Sequence, residues 1–277
     1  MKIAQVAPLV ESVPPKLYGG TERIVSYLTE ELVRQGHDVT LFASGDSQTQ
    51  AKLVPVCPRA TRLDPSVRDP LPHMLIMLDQ VRRRIEQFDL LHFHIDLIHV
   101  PLIHDIASRT LTTLHGRLDL PDLAPFYSHF MDVPVVAVSH DQRRLMPLAR
   151  WIGSVHHGLP TNLHSPFLNS EGGYLAFLGR ICPEKRPDRA IEIAKRAGLH
   201  LRIAAKVDLA DRQYFETAIK PLLDDPLIEY VGEISELEKN DFLGGARALL
   251  FPVDWPEPFG LVMIEAMACG TPVVAWR

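Results

Sequence analysis

"ARALLFPVDWPEPFGLVMIEAMACGTPVVAWR", Ala246 to Arg277, decides the fold. It opens on a compact apolar run, RALLFP, with Ala248 to Phe251 as a strand core. VDWPE follows as a loop, and Pro258 is a natural first helical residue. The pattern predicts a helix running through Phe259 to Cys269 and closed by Gly270. TPVVAW then reads as a second strand. A strand, a crossover helix and a strand place the two strands parallel in one sheet with helices on its faces.

The same alternation extends upstream. YLAFLGR, LHLRIAAK and LIEYVGE read as strands, with a helix over Asp188 to Ala197. In the first half KIAQVAP is a strand. Thr21 to Gln35 follows as a helix with Ile24, Val25, Leu28, Leu32 and Val33 on one face, ended by Gly36. DVTLFAS, DLLHFH, TLTTLHG and VPVVAVS are further strands, and SVHHGLP closes this series near residue 160. TNLHSPFLNSEGG is polar and aperiodic, a linker. The expected fold class is therefore α/β: two doubly wound, Rossmann-like domains, 1–160 and 172–277, facing each other across a cleft.

Composition limits the function. The 277 residues carry 29 Lys and Arg against 34 Asp and Glu, a net charge of −5. Nucleic-acid binding needs a basic footprint that this balance lacks. Apolar residues make up 46% and charged residues 23%, ordinary for a chain that buries a sizeable core. Cys57, Cys182 and Cys269 are odd in number and have no C-x-x-C spacing, so neither disulfides nor structural zinc are expected and a reducing cytoplasm fits. MKIAQVAP reads as a strand rather than a signal peptide. No apolar run approaches the roughly 20 residues of a membrane helix.

In doubly wound sheets ligands bind outside the carboxyl ends of strands. After the first strand comes LYGGTE, where Gly19 and Gly20 would let backbone approach a ligand at a helix N-terminus; a plain turn explains the two glycines equally well. It is not G-x-G-x-x-G, so no dinucleotide fingerprint is present. His115, before Gly116 and Arg117, stands at a strand end, as a hydrogen-bond donor or as a capped end. His92, His94, His99 and His104 cluster in sequence, but without helical i,i+4 spacing or a carboxylate partner, and no metal is expected. In FLGRICPEKRP, Gly179 and Arg180 end a strand and Lys185 lies five residues on. Two cations around a turn suit a diphosphate, or form a solvated basic loop.

The opening stretch holds two carboxylates, Glu257 and Glu265, in an E-x7-E spacing. A helix from Pro258 would place Glu257 at its mouth beside the free N–H groups of Phe259, Gly260 and Leu261. Glu265 would lie roughly 12 Å further along the axis. Gly260 would leave the mouth open for a phosphate. A carboxylate two turns in could accept both hydroxyls of a ribose, with a hexose at the other carboxylate. The alternative is one capping and one surface glutamate.

E-P-F-G-x-x-x-x-E, together with FLGRICPEKRP and YGGTE, resembles the retaining glycosyltransferases of family four, over essentially the whole chain. The resemblance implies a GT-B fold and a hexosyltransferase-type enzyme. It would move sugar from a nucleotide-diphosphate donor to an acceptor hydroxyl with retention, and no cofactor beyond the donor is implied. Arg180 and Lys185 match the diphosphate-binding pair and Glu265 the ribose-binding carboxylate. Glu257 and His115 match residues against the donor sugar, and Gly20 matches the glycine loop near the phosphates. The absence of D-x-D fits a metal-independent site. The acceptor is open: a small molecule, a glycan or, for an enzyme at the membrane surface, a lipid. A GT-B epimerase or a truncated, non-catalytic nucleotide-sugar-binding remnant are the competing readings. Family members continue past the position of Arg277. The second domain is thus expected to be incomplete, with Thr271 to Trp276 an apolar edge strand through which the chain self-associates.

Overall fold

The computed structural model describes residues 1–167 and 173–276. The chain divides into two compact units, Met1–His157 and Gly158–Arg277. The first is built on seven strands: β1 (Lys2–Val6), β2 (Asp38–Ala43), β3 (Lys52–Pro55), β4 (Leu90–Phe93), β5 (Thr110–Leu114), β6 (Pro134–Ala137) and β7 (Arg150–Ser154). Their order is β3-β2-β1-β4-β5-β6-β7, parallel throughout. The central strands are buried on both faces, so they read as continuous apolar runs. On one face the helix Leu71–Arg82 packs Met77, Leu78 and Val81 into a core with Phe42, Leu91 and Phe93.

The second unit contains β8 (Tyr174–Arg180), β9 (Leu201–Lys206), β10 (Ile228–Gly232), β11 (Ala246–Phe251) and β12 (Val273–Ala275), in the parallel order β10-β9-β8-β11-β12. The helix Pro187–Ala197 joins β8 to β9, with proline at its first position and left-handed Gly198 past its end. It buries Ala190, Ile191 and Ala194 against Phe177, Leu201 and Ile203. β12 is the outermost strand among the described residues and is three residues long. Val274 and Trp276 are more than half exposed, and Arg189 lies 5.1 Å from the Trp276 ring centre. Thr271, expected in this strand, is instead buried, its hydroxyl donating to Leu243 O.

The expected linker, residues 161–173, divides. Residues 168–172 lie outside the described chain. Before them the backbone is docked on the second unit: Ser165 N donates to Asn240 and Phe167 N to Cys269 O. The Phe167 ring occupies the space that a side chain at Gly244 would need. No helix among the described residues is long and apolar enough to cross a membrane. The three cysteines are buried and unbridged.

Candidate functional site

In each unit the strand order reverses at the centre, between β1 and β4 and between β8 and β11. At such a switch point the crossover helices leave on opposite faces, and a crevice opens at the carboxyl edge. The expected site residues of the second unit lie along this edge.

Arg180 is the last residue of β8 and pairs in register with Lys206, the last of β9. Its guanidinium lies 3.5 Å from Asp208 and 3.6 Å from Asp211, while the buried Lys206 ammonium is 3.0 Å from Asp208. Burial raises the Asp211 carboxyl, with Arg180 pulling it the other way. Lys185 follows in the turn Pro183–Lys185. Its ammonium donates to Glu257 across the switch point and sits 5.3 Å from the centre of the Trp255 ring. The two residues expected on different parts of a ligand thus meet each other, both largely buried. Gly179 sits in β8 with only ordinary contacts around the position of a side chain.

The loop after β11 corrects the sequence expectation. The helix is Leu261–Ala268, so Pro258 and Phe259 are not helical and Leu261 is the first helical residue. Gly260, the N-cap, has φ of 82°, a left-handed turn that the expected helix cannot contain. Glu257 therefore belongs to a tight loop, its N–H donating to Trp255 O. Glu265 lies about 6 Å into the helix rather than two full turns. Nor does Gly260 hold space open: a side chain there would meet Met263 Cε at 2.5 Å and Phe251 Cζ at 3.0 Å.

Glu265 is 2% exposed and accepts from Lys239 Nζ at 2.6 Å. Lys239, from the helix Glu236–Gly244, also lies 3.3 Å from Glu236, and Glu236 lies 3.5 Å from His164. His164, Glu236 and Glu265 bring potential metal-ligating atoms within 4.8 Å of one another, but Lys239 already supplies a positive charge between the two glutamates. The surface alternative for Glu265 is excluded by its burial.

In the first unit the two glycines differ. A side chain at Gly19 would lie 2.7 Å from Pro15 Cβ, so packing alone demands glycine there. Gly20 begins the helix Gly20–Arg34 and faces open space. His115 follows β5, with Nε2 2.8 Å from His94 Nδ1, and His157 stacks on it at 5.2 Å between ring centres. Of the clustered histidines, His92, His94 and His99 are buried and His104 is exposed. His94 Nε2 meets Gln5 Oε1 at 2.8 Å and His92 Nε2 meets Thr113 Oγ1 at 2.8 Å. His99 stacks on Phe93 and bonds Thr112. Burial lowers His92 to about 4 and His99 to about 3, and His94 and His115 well below the usual range, so all four rings are neutral at pH 7.

Sequence reading missed Lys206, Asp208, Asp211, Lys239, Gln5 and His94 as partners of site residues. The first three were accessible in principle, since Lys206 ends a strand and Asp208 and Asp211 follow it directly, where ligands gather.

Two parallel sheets, each reversing its strand order at the centre, one with a line of buried histidines and the other with ion-paired cations at its carboxyl edge, give a two-unit α/β fold of the GT-B class. Residues 18–157 match the family described as Glycosyltransferase Family 4 and residues 161–277 the family Glycosyl transferases group 1. The chain belongs to glycosyltransferase family 4. It is 25% identical over 306 residues to the D-inositol 3-phosphate glycosyltransferase of Mycolicibacterium smegmatis, covering 93% of this chain and 70% of that protein. Among solved structures, sucrose-phosphate synthase from Thermosynechococcus elongatus superposes with a TM-score of 0.77 at 17% identity, covering 99% of this chain and 80% of that one. Anabaena HepE in complex with UDP-glucose gives 0.71 at 16% identity, with 99% and 80% covered.

Proposed function

We propose that this glycosyltransferase takes its sugar from a nucleoside-diphosphate donor and transfers it to an acceptor hydroxyl with retention at the anomeric carbon. The observation that carries the reading is the placement of Arg180 at the end of β8 and Lys185 in the turn after it, the first beside Asp208 and Asp211 after β9 and the second on Glu257 across the switch point. Cations already oriented by acidic partners are prepared to receive a multiply charged ligand.

In this reading the diphosphate takes the place of Glu257 on Lys185 and of Asp208 and Asp211 on Arg180. Glu257, released from its ion pair, turns to the donor sugar. Glu265, fixed by Lys239, presents its second oxygen to the ribose. In the first unit, His115 is the candidate to receive a sugar hydroxyl and the backbone at Gly20 the candidate to approach a phosphate. As the anomeric C–O bond breaks, the electron pair stays on the diphosphate oxygen, which takes the acceptor's proton while the acceptor oxygen bonds to the same face of the sugar. Arg180, Lys185 and the amino end of the helix Leu261–Ala268 stabilise the developing charge, the role a divalent cation would otherwise fill.

The test is calorimetric titration with UDP, GDP and ADP beside their nucleosides, followed by NMR of the glycoside formed from the matching nucleotide-sugar. Diphosphate-dependent binding and a product with the donor's anomeric configuration are expected. An inverted product, or binding indifferent to the diphosphate, would overturn the reading.

A further inference from the structure

Five side chains form an unbroken line across the switch point of the first unit: Thr113 on β5, His92 on β4, Gln5 on β1, His94 just past β4 and His115 just past β5. The links are Thr113 Oγ1 to His92 Nε2 at 2.8 Å, His92 Nδ1 to Gln5 Nε2 at 3.4 Å, Gln5 Oε1 to His94 Nε2 at 2.8 Å, and His94 Nδ1 to His115 Nε2 at 2.8 Å. Gln5 is fully buried, and His92 and His94 nearly so.

In a neutral imidazole one nitrogen carries the proton and the other a lone pair. Gln5 is the one member with unlike ends. Its oxygen only accepts, so His94 Nε2 must carry the proton and His94 Nδ1 must accept. His115 Nε2 must then donate, which leaves the lone pair on His115 Nδ1. In the other direction the Gln5 amide donates to His92 Nδ1, so His92 Nε2 carries a proton and donates to Thr113. Every link points the same way.

Turning the Gln5 amide over would reverse all of them and put a proton on His115 Nδ1. That nitrogen is buried and meets no hydrogen-bond partner among the described residues. An orphaned buried N–H is rarer in proteins than an under-used acceptor, so the observed orientation is the one the open end favours.

We propose that Gln5 and His94 are positioning residues that fix His115 as the Nε2–H tautomer, so that His115 acts on its ligand as a hydrogen-bond acceptor through Nδ1. The group it recognises is an O–H or N–H, such as a sugar hydroxyl that donates; fluorine or an ether oxygen in its place finds no partner. That the ligand is a sugar rests on the function proposed above, whereas the tautomer does not.

Ring-nitrogen NMR of unliganded, 15N-histidine-labelled protein near neutral pH decides the point, with His115→Gln used to assign the signal. His92, His94 and His115 should each show a pyridine-like Nδ1 and a pyrrole-like Nε2. In Gln5→Glu both carboxylate oxygens accept. His94 and His115 should keep their tautomers while His92 Nδ1 gains a proton. In Gln5→Met the selection is lost and His115 should become a mixture. A pyrrole-like Nδ1 on wild-type His115, or an unchanged His92 in Gln5→Glu, overturns the proposal. If Gln5→Met does not fold, the other two spectra still decide. Because no ligand is present, failure here is distinct from failure of the donor titrations.

Discussion

Replacing Lys239 by methionine isolates the charge that surrounds Glu265. The side chains of Lys239 and Glu265 are 10% and 3% exposed, so solvent screens their ion pair weakly. Removing one partner of a buried pair typically costs about 3–5 kcal/mol, because the other charge stays desolvated. Glu236, 21% exposed and 3.3 Å from the same ammonium, adds a second uncompensated carboxylate. The loss should therefore fall within that range, or between about two and three and a half orders of magnitude in the folding constant. Lys239→Met with Glu265→Met replaces the pair by apolar groups, and should recover most of the loss. The assay is urea unfolding of the second unit, followed through Trp255 and Trp276 in a Trp151→Phe background. A single Lys239→Met that costs less than about 1 kcal/mol, or a double variant no better than the worse single one, would refute the reasoning.

Arg180→Ala and Lys185→Ala should each weaken nucleoside diphosphates by about 1.5–3 kcal/mol, or roughly 10- to 150-fold, and leave nucleosides nearly unaffected. Equal losses for both ligand types in calorimetry would contradict this. Glu257→Gln removes the anion that holds Lys185, so a nucleoside diphosphate should bind more tightly while turnover of a nucleotide-sugar falls. Unchanged affinity would show that the ion pair does not compete with the ligand. The first unit should be acid-sensitive. Burial depresses His92 and His157 from 6.5 to about 4, so the unfolded chain takes up protons that the native one refuses. Stability is then full above about pH 6.5 and falls as pH drops toward 4, by about 3 kcal/mol for His92 alone. Trp151 fluorescence in urea at several pH values would register it, and a flat profile between neutrality and pH 4.5 would count against it.

The central strands were legible because burial on both faces makes them continuous apolar runs, as in β1, β2, β4, β8 and β11. β3 and β7 were not identified. Both lie at sheet edges, where one partner suffices, and KLVP and RWIGS carry Lys52, Pro55, Arg150 and Gly153. The start of the helix Leu261–Ala268 was misplaced because proline is a good first helical residue and the left-handed turn at Gly260 leaves no periodic trace. The candidate residues themselves were visible as strand-end charges. Their partners were not, since Lys185 with Glu257 and Gln5 with His94 are joined only by sheet topology.

The carboxylates around Arg180 and Lys185 also set a threshold. A cation facing open water attracts any anion, including chloride and inorganic phosphate at the concentrations found in cells. Here each cation is already satisfied, so a newcomer gains only the difference between its own attraction and that of Glu257, or of Asp208 and Asp211. A single negative charge merely exchanges with a carboxylate. In the proposed reading, a ligand with several charges on adjacent groups would engage both cations at once and gain on the exchange. In that reading the edge would act as a filter for charge density, passing over chloride and other singly charged anions of its surroundings.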